Sequence, residues 1–73
     1  MRDVNTLSDR EVVAIVKAIR DRAARHGEQI RQGKDNAGSM GFMIVDASSN
    51  TITAGEGYTI PLDELAEMYN IVF

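Results

Sequence analysis

Seventy-three residues, 44% hydrophobic and 26% charged, make one α+β-sized globular domain and too little chain for two. The absence of cysteine excludes disulfides and thiolate zinc sites, and no run approaches the roughly 20 apolar residues of a membrane span. The formal charge of −3 conceals a polarity: all eight Lys and Arg fall within residues 1–34, which carry +3, whereas residues 35–73 hold no base and carry −6.

The segment Met1 to Asn5 lacks the apolar core of a signal peptide, which together with the lack of cysteine suits a cytoplasmic protein. Ser8-Asp9-Arg10-Glu11 has the spacing of a capping box, with Leu7 and Val12 placed as a hydrophobic staple. Val12, Ile15, Val16, Ile19, Ala23 and Ile30 then fall on one helical stripe, with His26 at its edge. Arg25-His26-Gly27 reads as a cation-rich last turn with a C-cap glycine, but Ile30 stays on the stripe and Gln32-Gly33 offers a second stop. The favoured reading is a first helix reaching about Gln32, weakened at Gly27, which costs roughly 1 kcal/mol relative to Ala. His26 is expected to pack or cap.

Residues 33–41 contain three glycines and read as a loop. Phe42 to Val45 reads as a strand with Phe42 and Ile44 on one side and Met43 and Val45 on the other. A turn over Ala47 to Asn50 leads to a returning strand, Thr51 to Ala54, with Ile52 and Ala54 on its apolar side. Gly55-Glu56-Gly57 ends the hairpin. Pro61 opens a second helix whose first turn holds Asp63 and Glu64, where the helix dipole favours acids. Leu62, Leu65, Met68, Tyr69 and Val72 supply its buried face, and Met40 and Met43 are likewise expected in the core.

The expected fold is therefore a small single α+β domain over residues 1–73, of order α-β-β-α, with two helices packed on a β-hairpin. A helix from Asp9 to Gln32 spans roughly 36 Å, about twice the length of a short strand. A bend at Gly27 or a second copy would resolve that mismatch; together with the free hairpin edges and the apolar C-terminus, it predicts a homodimer.

The chemistry is sparse. A lone histidine lacks both a nucleophile partner and companion metal ligands. The glycine-rich segments do not match phosphate loops, and Asp35-Asn36-Ala37-Gly38 lacks the alternating ligands of a calcium loop. No catalytic, cofactor-binding or metal-binding residue is expected, and the chain is not read as an enzyme.

Arg20, Arg22, Arg25 and Arg31 form a candidate partner-binding series. On a helix they spread over about 180° at 100° per residue, and Asp21 and Glu28 interrupt them. Lys17–Asp21 and Asp21–Arg25 are spaced as i,i+4 pairs. Glu56, Asp63, Glu64 and Glu67 form the acidic counterpart. Ile71, Val72 and Phe73 need burial, in the same molecule or in a second one, and are the candidates for self-association.

These features predict a non-catalytic protein-binding module, a regulator or inhibitor, that self-associates. Accessory proteins of phages and mobile elements share this general composition. The competing reading is a dimeric nucleic-acid binder using the Arg-rich helix, which the acidic total and the lack of aromatics among the basic residues disfavour.

Overall fold

Ser8 receives the backbone N–H of Glu11 on its hydroxyl, and the Glu11 carboxylate receives the N–H of Ser8, completing the capping box that starts the first helix. The structure, a computed structural model, describes residues 6–72. Helix α1 covers Asp9–Arg25, followed by strands β1 (Glu28–Lys34), β2 (Met40–Asp46) and β3 (Ile52–Ala54) and helix α2 (Leu62–Met68). The α+β class and the two helices packed on a hairpin are as expected. A third strand joins that hairpin, so the order is α-β-β-β-α.

The additional strand comes from a stretch expected to be helical. Helix α1 stops at Arg25, not near Gln32, with His26 as its C-cap and Gly27 at φ +72°. That left-handed conformation costs glycine little, and it turns the chain out of the helix. The N–H groups of His26 and Gly27 bond to the carbonyls of Ala23 and Ala24. With 17 residues, α1 is about 25 Å long at 1.5 Å per residue, and the mismatch with the hairpin largely disappears.

The sheet is an antiparallel meander in the order β1-β2-β3. Register places Ile30 opposite Ile44 and Gln32 opposite Phe42, on the face that carries both helices. Register places Gln29, Arg31, Met43 and Val45 on the other face, where Val45 is buried and Gln29 and Arg31 are exposed. Both outer glycines of the expected loop belong to strands: Gly33 pairs with Gly41, leaving a short turn in which the Asp35 carboxylate accepts the N–H groups of Ala37 and Ser39. A register shift beside Ile44 and Val45 separates Ile52 from Ala54. Ala54 lies opposite Ile44 and packs on the core, whereas Ile52 lies opposite Val45 and is exposed. The expectation of one shared apolar side for these two residues is corrected by this bulge.

The turn from β2 to β3 is organised by Asp46. Its carboxylate accepts from the Ser48 hydroxyl and from the N–H groups of Ser48 and Ser49. These bonds, the Ser48 hydroxyl foremost, hold Asp46 below the usual carboxylate pKa.

After β3 the chain turns through residues 55–59 and returns to β2, where Ile60 and Phe42 exchange backbone hydrogen bonds at 2.9 and 3.2 Å. Pro61 is the N-cap of α2. The core joins Ile15, Ile19 and Ala23 of α1 to Ile30, Phe42 and Ile44 of the sheet and Leu62, Leu65, Ala66 and Tyr69 of the C-terminal segment. Two members of the expected second-helix face fall outside it: Met68 and Val72 are 49% and 80% exposed. Helix α2 ends at Met68, so the 3–4 spacing no longer governs where Val72 points. Met40 is also exposed and Met43 only half-buried, which corrects their assignment to the core.

Candidate protein-docking site

Strand β1 lies at the edge of the sheet, with β2 on one side only. In an antiparallel pair, residues alternate between exchanging hydrogen bonds with the neighbour and turning away from it. Phe42 and Ile44 use their backbone groups toward Ile60 and Thr53. Their partners Gln32 and Ile30 therefore direct N–H and C=O outward, away from β2. This edge is the side of the sheet nearest α1.

Between that edge and α1 runs a groove of about 450 Å³, lined by Val12, Val13, Val16, Lys17 and Arg20 of α1 and by Gln32 of β1. The helical residues recur at intervals of three and four, so they form one flank of α1 beside the strand. Val13 is 69% exposed. Two further shallow hollows adjoin it: one shares Arg20 and is lined also by Ala24, Glu28 and Arg31, the other shares Gln32 and is lined also by Lys34 and Met40. The groove's own lining combines three valines with two cations and one amide. Glu28, the acid at its margin, has Oε1 engaged by the Tyr69 hydroxyl.

Arg20 crosses the edge itself: Nη1 donates to the outward carbonyl of Ile30 at 2.5 Å. This bond closes one position of the strand edge to a stranger's N–H, a common protection of exposed edges. A guanidinium carries five N–H donors, so Arg20 retains others for a carboxylate.

The structure divides the predicted arginine series. Arg20 and Arg31 meet at the β1 edge. Arg22 lies on the other flank of α1, where Nη1 donates to the carbonyls of Tyr69 and Asn70 at 2.6 and 3.2 Å. It caps the C-terminus of α2, whose last turn has no base of its own. Arg25 stands exposed at the end of α1. Among the described residues, no ion pair joins Lys17 to Asp21 or Asp21 to Arg25.

The acidic candidates stay together only in part. Asp63, Glu64 and Glu67 share the exposed side of α2, and Glu56 lies in the turn after β3. Of the candidates for self-association, Ile71 packs on its own core, Val72 projects outward, and Phe73 lies outside the described residues. His26 has the capping role expected of it.

The residues that sequence reasoning overlooked are Val13, Lys17 and Gln32. Val13 lies off the buried stripe, and an exposed valine on a helix carries little signal alone. Only the position of β1 turns it into the wall of a groove. Among the described residues, no group of three His, Asp or Glu is placed to hold a metal ion, and no helix is long and apolar enough to cross a membrane. Comparison with family models, curated proteins and solved structures finds no match for the chain.

Proposed function

We propose that this chain is a small non-catalytic protein-binding module, a regulator or inhibitor, that receives a partner along the groove between α1 and β1. The observation that carries the reading is the apolar wall of Val12, Val13 and Val16 beside the outward backbone groups of Gln32, the Ile30 carbonyl being already held by Arg20. A docked partner gains apolar burial against this wall and can place a polar side chain on the open Gln32 groups. Lys17 and Arg20 at the rim favour a partner with acidic residues. The lining side chains are suited to recognition: they offer hydrophobic area, amide hydrogen bonding and charge, with no nucleophile beside a base.

Immobilised wild-type protein, a Val13→Asp variant and an Ile52→Asp control test the reading against native cell lysate. Val13 and Ile52 are both exposed but lie on different faces. Proteins retained by wild type should be lost from Val13→Asp and kept by Ile52→Asp. Equal retention by all three baits, or loss that follows Ile52 instead, overturns the groove as the docking site.

A further inference from the structure

We propose that the groove between α1 and β1 accepts the exposed face of α2 from a second copy of this chain, so that the protein associates head to tail. This rests on the docking reading above and names an occupant for it. The two surfaces have reciprocal composition. The groove presents Val13 and Val16 beside Lys17 and Arg20. With Leu62, Leu65 and Ala66 turned into the core, α2 presents Glu64, Glu67 and the half-exposed Met68, with Val72 projecting just beyond. Apolar side chains on each surface meet apolar side chains on the other, and carboxylates meet cations.

Symmetric pairing lacks this match. Joining groove to groove sets Lys17 and Arg20 against their own copies, and joining α2 to α2 sets acid against acid; such like-charge contacts are costly. The two surfaces share no residue, so one molecule can give α2 to a neighbour while receiving α2 from another. This is a heterologous contact, which closes into a ring or continues as an open chain. The charge polarity of the sequence thereby acquires a structural form, with bases on one contact face and acids on the other. Arg20 can keep its bond to the Ile30 carbonyl and offer its remaining N–H groups to Glu64 or Glu67 of the incoming copy.

Light scattering across a concentration series, at low and high salt, tests this with Lys17→Glu and Glu67→Lys. Both residues are exposed, and neither side chain makes a hydrogen bond or ion pair within the described residues. Circular dichroism melts confirm that each variant folds. Wild type should gain mass with concentration and return toward monomer at high salt. Each variant alone should remain monomeric. Their equimolar mixture should regain the wild-type mass, because wild-type and charge-reversed pairings both become available. The proposal is overturned if Glu67→Lys associates as strongly as wild type while Lys17→Glu does not, which marks groove-to-groove pairing, or if mixing restores nothing. It is also overturned if wild type stays monomeric throughout. In that case a loss of captured proteins on Val13→Asp would leave the docking reading standing with a different occupant.

Discussion

The hydroxyl of Tyr69 donates to Oε1 of Glu28 at 3.0 Å, joining the residue that closes α2 to the residue that opens β1. Tyr69 is otherwise buried in the core. Burial, then the bond to Glu28 and the charge of that carboxylate, push the phenol well above its ordinary pKa. A phenol that binds its proton more tightly when folded stabilises the fold fully below its unfolded pKa of about 10 and loses that contribution as pH rises above it. The stability difference between wild type and Tyr69→Phe should therefore be constant up to about pH 10 and shrink at higher pH. Denaturant melts across that range provide the measurement; a difference that ignores pH would show that the phenol does not feel Glu28 or its burial.

Arg22 connects the same corner from the other side. By capping the Tyr69 and Asn70 carbonyls it satisfies groups that α2 leaves open and places a cation at the negative end of the helix dipole. Truncation to alanine should cost about 1.5–3 kcal/mol, the range for a hydrogen bond involving a charged group. Arg25→Ala, three residues along the same helix but exposed, should change stability by less than about 0.5 kcal/mol. Equal losses in a urea melt would mean that the cap contributes nothing beyond general charge.

The division of labour among the arginines bears on the nucleic-acid reading. Arg22 is turned toward α2 and Arg20 is tied to Ile30, so the series does not form one basic stripe. A protein neutralising few phosphates loses its affinity steeply with salt. Gel shifts with duplex DNA or RNA should show no retained complex at about 0.15 M salt, near physiological ionic strength. A submicromolar complex there would put the basic face of α1 back in contention as the functional surface.

Local patterning made the starts of both helices, the capping box of α1 and the central hairpin readable, because each depends on neighbours in sequence. Strand β1 was hidden by an arithmetic coincidence. Ile30 lies seven residues after Ala23, two helical turns, and so stays on the stripe; in the structure it is buried from a strand instead. The deciding residue is Gly27, whose positive φ ends the helix and whose meaning depends on tertiary pairing with β2. The groove was invisible for the same reason, since half of it is this unrecognised strand.

Gly41 illustrates the same dependence on distant residues. A Cβ built there would stand 2.0 Å from the Tyr58 carbonyl oxygen, a backbone atom that cannot move aside alone. The return segment after β3 comes this close only because Gly41 has no side chain. Gly41→Ala should therefore cost about 1–3 kcal/mol, the range for overpacking, and should loosen the Phe42–Ile60 bridge. Hydrogen exchange at the Ile60 amide reads that loosening directly, and an unchanged exchange rate would place the clash elsewhere.

The C-terminal residues separate folding from association. Sequence composition assigned Ile71 and Val72 one shared role, whereas the structure gives them different ones. The N–H of Ile71 bonds to the Ala66 carbonyl at 2.8 Å and its side chain packs against the core of its own molecule. Val72 is exposed to solvent. Ile71→Ala should lower the stability of the isolated monomer by about 1–2 kcal/mol, less than the roughly 2–5 kcal/mol of a fully buried isoleucine because its burial is partial. Val72→Ser should leave the monomer within about 0.5 kcal/mol of wild type yet reduce the mass seen by light scattering at high concentration. Melts at low concentration, paired with scattering at high concentration, distinguish these roles. If Val72→Ser unfolds the monomer, the residue belongs to the core; if it changes neither quantity, Val72 takes no part in the contact between copies.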